Sequence, residues 1–460
     1  MSLPAAAAAC VVALATVAVA RVALRRHVER WAQALRRERL RIDRYKFTRK
    51  TRVVAALLDD PEVARAIEEH AHATGESESR AREKVLEYAE EIVPSFNMLS
   101  YYRLGYGLAR LLLPLLYKVS VGYEARTALE TIPRDSVVLY LMNHRSNADY
   151  VVVAYVLSGD VAISYAVGEW ARVWPLETVF RRFGSYFVRR NYRERLYHKV
   201  LERYVQLITR NGVTQGVFLE GGLSRDGRFR EPKLGILDHV VGVKRDPSFT
   251  RPLHIVPVAL NYDRVLEDRS LLRELQSPDE RLSRGKQIVE VFSYVAKVSL
   301  RFLLRRARRY GRACVNFGPP LDVDAWLAAR PGVLDLPRER RLPRLKELAA
   351  EVMARIAAIM PATAVALACA ALLREGGDLI SRERWIALLD EIRDTLRARE
   401  AHIVGDERSS SEILERALVM LTMRRVVTAE AAGFRIDRSH EPLLRFYANS
   451  IGHFLETPRP

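Results

Sequence analysis

The chain has 460 residues, of which 49% are hydrophobic, and a formal net charge of +18. This length is sufficient for one large core or for two to three domains, and the hydrophobic content excludes an intrinsically disordered chain. The positive charge indicates an anionic partner, and composition alone leaves nucleic acid, anionic lipid headgroups and a phosphorylated substrate open. The three cysteines stand far apart without metal-ligand spacing, which argues against a disulfide framework and a structural zinc site.

The N-terminal segment has the composition of a membrane anchor. Residues 2–20 carry no charge, and a helix of this length can span a bilayer. No basic residue precedes the segment, which argues against a cleaved signal peptide. The arginine-rich residues 21–41 follow it, so the positive-inside rule places the body of the chain in the cytoplasm. We therefore predict an anchor over residues 1–24, with a helix lying in the membrane interface as the alternative.

The next region, residues 25–118, is predicted to be helical. Trp31–Leu58 and Pro61–Tyr88 alternate charged and apolar residues at helical spacing. Tyr101–Lys118 is apolar on nearly all sides but is short and is interrupted by Pro114. This last pattern fits a helix lying in the membrane interface and a buried core helix equally well.

Strand-like and helical patterns alternate over residues 119–325. The alternation predicts an α/β fold with a mixed, largely parallel sheet flanked by helices. Residues 326–460 are predicted to be helical, with Pro361 at a helix start and with breaks at Gly376, Gly377 and Gly405. The candidate strands are Ser136–Met142, Val161–Val167, Tyr186–Arg189, Val213–Leu219, Ile255–Tyr262 and Ala313–Phe317. The candidate helices of the α/β domain are Val151–Leu157, Tyr192–Thr209 and Gln276–Tyr310.

The segment Asn143–Tyr150 joins a predicted strand to a predicted helix. Ser146 is a good N-cap, and Asp149 stands where the acid of a capping box would be. His144 then lies in the loop beyond a strand's carboxyl end, where open α/β sheets bind ligands. An imidazole held by a carboxylate can accept a proton from an alcohol. The alternative is a loop histidine bonded to the backbone, with Asp149 acting only as a helix cap.

Three further segments end a predicted strand and carry polar groups. They are Gly184–Arg190, Phe218–Arg228 and Ile255–Arg264. Each has an ordinary explanation when taken alone: a solvated strand end, a common glycine turn, and a strand that the internal Pro257 demotes to an edge or an irregular position.

Together with His144 and Asp149, in this order and spacing, these segments resemble the four sequence blocks of the glycerolipid acyltransferase superfamily. The resemblance is to the glycerol-3-phosphate and dihydroxyacetone-phosphate acyltransferases rather than to the short lysophosphatidate acyltransferases. The long helical N-terminal region, the Arg41–Lys46 stretch and the helical C-terminal third with Leu444–His453 favour that subfamily.

The resemblance implies a role for each matching residue. It makes His144 and Asp149 the catalytic HxxxxD pair and places Pro257 in a block associated with the acyl donor. Family members that act on glycerol 3-phosphate usually carry arginine at the position of Leu223, so another acceptor such as lysophosphatidate or a lysophospholipid is the alternative. The residues that match blocks binding the acceptor and its phosphate are Arg189, Glu220, Gly221, Gly222, Ser224 and Arg225.

The activity implied is transfer of a fatty acyl group from acyl-CoA or acyl carrier protein to the sn-1 hydroxyl of glycerol 3-phosphate or dihydroxyacetone phosphate, the first step of phospholipid synthesis. His144 would act as the base, and this scheme needs no metal or cofactor. We expect a membrane lipid surface as a partner, at the cytoplasmic face of a bacterial inner membrane. Nucleic acid is not expected, because no helix-turn-helix, zinc spacing or aromatic-basic RNA-binding pattern is present. A catalytically inactive scaffold is disfavoured because both His144 and Asp149 are intact.

Overall fold

The computed structural model describes most of the chain beyond the N-terminal region. The predictions for the anchor, for residues 31–42 and for most of the Gln276–Tyr310 helix lie outside the described residues. Within the described part, no helix is both long enough and apolar enough to cross a membrane. The described residues are 43–97, 107–123, 129–157, 161–172, 176–189, 192–276 and 311–456.

The chain divides into two compact units. The first comprises residues 1–42 and 157–162; its described part is Leu157, Val161 and Ala162, in which the Val161 N–H donates to the Leu157 carbonyl oxygen. The second comprises residues 43–156 and 163–460 and contains the sheet described below.

The main sheet has eight strands in the order β1-β7-β6-β2-β5-β3-β4, with β8 paired to β6. The pairs β1–β7, β6–β2, β2–β5, β5–β3 and β3–β4 are parallel, whereas β6 is antiparallel to β7 and β8. This confirms the predicted mixed, largely parallel sheet. The strands are β1 (Lys118–Tyr123), β2 (Val137–Met142), β3 (Ser164–Gly168), β4 (Tyr186–Val188), β5 (Gln215–Phe218), β6 (Leu253–Tyr262), β7 (Arg312–Phe317) and β8 (Leu321–Asp322).

The central strands are those that the apolar runs predict most clearly. β2 has the sequence VVLYLM with five of its six residues buried, and all four residues of β5 are buried. Parallel strands covered by helices on both faces carry such continuous apolar runs. All six candidate strands are present with small shifts at their ends. β1 was not among them, because Lys118, Ser120 and Gly122 weaken its strand pattern.

Helices pack against the sheet and make up most of the described residues on either side of it in the sequence. The described α-helices are α1 (Lys50–Leu58), α2 (Pro61–Thr74), α3 (Glu78–Ile92), α4 (Gly107–Leu116), α5 (Asp149–Leu157), α6 (Leu176–Arg182), α7 (Arg195–Arg210), α8 (Gly235–Val241), α9 (Asp268–Gln276), α10 (Val323–Ala328), α11 (Arg338–Ala358), α12 (Ala364–Glu375), α13 (Arg382–Arg397), α14 (Ser410–Met423), α15 (Glu441–Ala448) and α16 (Gly452–Leu455).

Helix α4 lies within Tyr101–Lys118, the segment whose pattern fitted an interfacial helix and a buried core helix equally well. Its residues Ala109 and Leu113 are buried, as is Tyr117 immediately after it. At least one face of α4 therefore packs into the protein core.

The described C-terminal region is mainly helical, as the sequence predicted, but it also contains a small sheet. A three-stranded antiparallel sheet consists of β9 (Leu379–Ile380), β10 (Val427–Glu430) and β11 (Gly433–Ile436), in the order β10-β11-β9. These strands have two to four residues and are largely exposed, so they lack the apolar alternation that identifies a strand. The predicted break at Gly376 is confirmed, because Gly376 ends α12 with φ 72°.

The sequence context of Pro257 predicted an edge strand or an irregular position, and the structure shows an irregular position in a central strand. It lies within β6, which has β2 on one side and β7 and β8 on the other. The Gly318 N–H donates to the Pro257 carbonyl oxygen. The amide and the carbonyl of one strand residue face the same neighbour, so the missing N–H of Pro257 faces the short link between β7 and β8. A proline is tolerated here because the antiparallel ladder is interrupted.

Candidate active site

The parallel strands bring several polar residues to one edge of the sheet. His144 follows β2, Glu220 follows β5, and Tyr262 is the last residue of β6. Between β2 and His144, the buried side chain of Asn143 accepts a hydrogen bond from the Leu260 N–H at 2.8 Å and donates one to the Leu260 carbonyl at 3.0 Å. This amide continues the ladder between β2 and β6 for one more residue, which sets the direction in which His144 leaves the sheet.

His144 and Asp149 form a buried pair, with His144 Nδ1 2.9 Å from Asp149 Oδ2. The same carboxylate oxygen accepts the backbone N–H groups of Arg145 at 2.7 Å and Ser146 at 3.0 Å. The other oxygen, Oδ1, accepts the hydroxyl of Tyr262. Because a carboxylate only accepts, this network assigns the proton to Nδ1 and leaves Nε2 as the nitrogen that can take up a proton.

Asp149 is both the partner of His144 and part of the helix start, so it is not only a helix cap. Its carboxylate accepts the Ser146 N–H, as the acid of a capping box does. The Ser146 hydroxyl, however, accepts from the Ala148 N–H at 3.1 Å rather than from Asp149. Half of the predicted capping box is therefore present.

Aromatic side chains enclose the His144 ring. It stacks on Phe218 with centroids 4.0 Å apart and 22° between the planes, and Tyr150 meets it edge-on at 5.6 Å. His144 is 1% exposed. Although His144 lies in a loop, its ring packs against Phe218 and Tyr150, which limits the orientations that the ring can adopt.

Glu220 supports the backbone of the loop that carries His144. Its Oε1 accepts the His144 N–H at 3.0 Å and its Oε2 accepts the Arg230 N–H at 2.9 Å. Burial raises the pKa of Glu220 to about 7, although the two backbone hydrogen bonds oppose that rise. The structure therefore gives Glu220 a contact with His144, whereas its predicted contact with a substrate stays a prediction.

The glycine-rich loop, residues 221–230, also contacts the loop that carries His144. The Ser224 N–H donates to the His144 carbonyl at 3.0 Å, and the buried guanidinium of Arg145 donates to the Gly227 carbonyl. Gly221 has φ 64°, and a Cβ at Gly227 would lie 1.9 Å from the Phe446 carbonyl oxygen. Gly222 is buried between them. These contacts explain why the loop needs glycine at Gly227.

The two arginines predicted to bind phosphate are engaged with carboxylates. Arg189 donates to both oxygens of Glu91, at 2.8 and 2.5 Å, and lies over the Tyr192 ring. Arg225 Nε donates to Glu274 at 3.1 Å. Arg189 follows β4, which is three strand spacings, or about 14 Å, from β2. The structure therefore brings Arg225, but not Arg189, into the loop that contacts His144.

Two residues of the site were missed in the sequence: Tyr262 and Glu267. Tyr262 lies in one of the four blocks but looks like an ordinary strand residue. Glu267 accepts the Ser146 hydroxyl at 2.7 Å but follows the last block without any motif of its own. Across the described ranges, no group of three or more His, Cys, Asp or Glu side chains could hold a metal ion.

Comparison with known proteins identifies two matching family models. The acyltransferase model matches residues 126–261, and the model of the glycerol-3-phosphate acyltransferase C-terminal region matches residues 298–458. A glycerol-3-phosphate acyltransferase of Aeromonas hydrophila is 28% identical over an alignment of 416 residues that covers 87% of this chain and 49% of the relative. The chain thus spans about half the length of that relative. The crystal structure of a 1-acyl-sn-glycerophosphate acyltransferase from Thermotoga maritima is 18% identical, with a TM-score of 0.31 over 60% of this chain and 82% of that chain.

Proposed function

Because the chain belongs to the glycerol-3-phosphate acyltransferase family, we propose that it transfers a fatty acyl group from acyl-CoA or acyl carrier protein to the sn-1 hydroxyl of glycerol 3-phosphate or dihydroxyacetone phosphate. The observation that carries this proposal is the buried pair of His144 Nδ1 and Asp149 Oδ2, 2.9 Å apart at the carboxyl edge of the sheet. The pair holds the imidazole in the tautomer that can take a proton from an alcohol.

In the proposed reaction, His144 Nε2 removes the proton from the acceptor hydroxyl as the oxygen attacks the thioester carbonyl. A tetrahedral oxyanion forms and then collapses, with loss of the thiolate, which recovers the proton from the imidazolium. Asp149 stabilises that imidazolium and keeps the ring in place. A positioned base contributes about 10²- to 10⁴-fold, so the remaining acceleration must come from substrate positioning and stabilisation of the oxyanion.

Arg225 is the better placed of the two arginines to bind the acceptor phosphate. It follows Ser224, whose N–H donates to the His144 carbonyl, and its side chain is 40% exposed. A guanidinium forms bidentate, charge-assisted hydrogen bonds with phosphate. Arg225 donates to Glu274 through Nε, so phosphate binding would use its terminal nitrogens or exchange this partner.

Thiol release from acyl-CoA tests the proposal. The purified chain is offered glycerol 3-phosphate, dihydroxyacetone phosphate and lysophosphatidate in turn, with Asp149→Asn as the inactive control. We expect thiol release that depends on glycerol 3-phosphate or dihydroxyacetone phosphate. The proposal fails if none of the acceptors raises thiol release above the rate of the control variant.

The second candidate acceptor is a lysophospholipid, and Leu223 is the observation that favours it. Leu223 is only partly buried in the glycine-rich loop, and its carbonyl accepts a hydrogen bond from Arg230. If glycerol 3-phosphate is the native acceptor, Leu223→Arg should lower its KM. If the pocket is built for a lysophospholipid, the substitution should instead reduce activity without improving glycerol 3-phosphate use.

We also propose that the protein associates with the cytoplasmic face of a membrane. The uncharged residues 2–20 and the arginine-rich residues 21–41 support this location. Each basic residue near an anionic surface contributes about 1 kcal/mol. Deletion of residues 1–24 should weaken, but not abolish, binding to anionic vesicles. Complete recovery of the truncated protein in the soluble fraction at low salt would contradict a contribution of the remaining arginine-rich residues to membrane attachment.

A further inference from the structure

We propose that Glu267 is a positioning residue for the His144–Asp149 pair and acts through the hydroxyl of Ser146. This inference rests on the proposed function, because the pair must first be the catalytic pair. Glu267 lies outside the residues that the sequence blocks identify, in the turn between β6 and α9.

Ser146 joins Glu267 to the catalytic carboxylate. Its hydroxyl donates to Glu267 Oε2 at 2.7 Å and accepts from the Ala148 N–H at 3.1 Å. Its own N–H donates to Asp149 Oδ2. A hydroxyl that donates to one group and accepts from another has a single orientation. Glu267 therefore restrains the loop whose backbone orients Asp149.

The C-terminal region in turn holds the turn that carries Glu267. The Tyr447 hydroxyl accepts from the Val265 N–H at 3.1 Å and donates to Asp268 Oδ2 at 2.7 Å. The buried Arg424 pairs with the other oxygen of Asp268. Contacts thus run from α15 through this turn to Ser146, so that the Leu444–His453 stretch supports the catalytic loop without reaching the reacting atoms.

The environment of Glu267 is unfavourable for a residue that only stabilises the fold. It is 8% exposed, and burial together with the nearby Asp149 raises its pKa to about 7. A buried carboxyl group costs stability unless a cation compensates its charge. Groups kept in such environments are candidates for functional roles. Loss of Glu267 should therefore reduce turnover more than it reduces stability.

Four variants test this role: Glu267→Met, which removes the acceptor at similar volume, Glu267→Gln, which retains one, Ser146→Ala, and the Met/Ala double variant. A 1 Å displacement at an active site can cost about 10²-fold. We expect Glu267→Met to lower kcat by about 10- to 100-fold with both KM values within about threefold, and Gln to restore kcat to within about threefold of wild type. The kcat of the double variant should lie within about threefold of the kcat of the less active single variant.

Asp238→Asn is the matched control. Asp238 is also a buried carboxylate, but it pairs with Arg341 between α8 and α11. Its loss should lower the unfolding midpoint and leave kcat within about threefold. The inference is wrong, and Glu267 is a structural residue, if Glu267→Met lowers the unfolding midpoint but leaves kcat within about threefold. It is also wrong if the losses in kcat of Ser146→Ala and Glu267→Met multiply fully in the double variant.

A second readout separates this inference from the proposed function. In protein with ¹⁵N-labelled histidine, the Nδ1–H signal that disappears in His144→Ala reports the contact with Asp149. We expect Glu267→Met and Ser146→Ala to shift that signal and Asp238→Asn to leave it in place, whether or not any acceptor is turned over. An unshifted signal in Glu267→Met overturns the positioning role even if the wild-type protein transfers acyl groups.

Discussion

The hydroxyl of Tyr262 donates a hydrogen bond of 2.5 Å to Asp149 Oδ1, the carboxylate oxygen opposite the one that contacts His144. Tyr262 is the last residue of β6 and is 1% exposed. A hydrogen bond to an ionised group contributes about 1.5 to 3 kcal/mol. Tyr262 therefore fixes the rotation of the Asp149 carboxylate, so that the other oxygen, Oδ2, is directed at His144 Nδ1.

Tyr262→Phe should lower kcat by about 10-fold and leave both KM values nearly unchanged, because it loosens Asp149 without touching a substrate site. Steady-state rates of acyl transfer measure the effect. Tyr186→Phe is the matched control, since this buried hydroxyl donates to Gln215 rather than to Asp149. Equal losses in the two variants would mean that Tyr262 contributes only to folding.

His144→Ala should reduce acyl transfer by at least about 10²-fold, the lower end of the contribution of a positioned base. Because the ring is buried and stacked on Phe218, the variant should also unfold at a lower temperature than the wild type. Rates at 25 °C and a thermal melt measure the two effects. A folded variant that retains more than about a tenth of the rate would show that His144 is not the base.

Arg225→Ala should raise the acceptor KM, with a loss in kcat/KM of about 10- to 150-fold, and spare the KM for the acyl donor. Glu274→Ala provides the matched control, because it breaks the same ion pair but leaves the guanidinium available for phosphate. Its acceptor KM should be unchanged or lower. A rise in KM equal to that of Arg225→Ala would indicate that the pair, rather than the arginine, is required.

Arg189→Ala should also raise the acceptor KM if Arg189 binds phosphate, as the resemblance to the family implies. Because Arg189 forms a bidentate pair with Glu91, the substitution should in addition reduce stability. Glu91 belongs to α3, so the pair joins the helical N-terminal region to the end of β4. Both Arg189→Ala and Glu91→Ala should therefore lower the unfolding midpoint, and Glu91→Ala should lower it more because it also breaks the ion pair with Arg172. If only Arg189→Ala raises the acceptor KM, the guanidinium also binds substrate. If neither does, the arginine is structural.

Glu220 should make the folded state less stable as the pH rises. Its pKa is raised to about 7 in the folded protein, so between the ordinary glutamate value and about 7 the folded state holds more protons than the unfolded state. Stability contributed by this group is then lost as the pH rises through that window. Relative to wild type, Glu220→Gln should gain unfolding free energy between pH 5 and pH 8, by on the order of 3 kcal/mol. Denaturant titrations at both pH values measure the gain, and a constant difference would contradict the raised pKa.

The sequence by itself determined the local features of this protein. The apolar runs identified the strands around the site because strands buried on both faces need continuous hydrophobic residues. The spacing of His144 and Asp149 identified the pair because both residues lie in one short loop and helix start, whose geometry local hydrogen bonds set. The same locality explains the confirmed helix break at Gly376.

Only the tertiary structure decided which distant residues support that pair. Tyr262 is 113 positions from Asp149, and Glu267 is 121 positions from Ser146. A tyrosine in a strand and a glutamate in a turn have no distinctive pattern, and their partners depend on β6 lying beside β2 in the sheet. The central place of Pro257 also depends on that strand order. Sequence periodicity reports which face of an element is buried, but the choice of neighbouring element is made by packing over the whole chain.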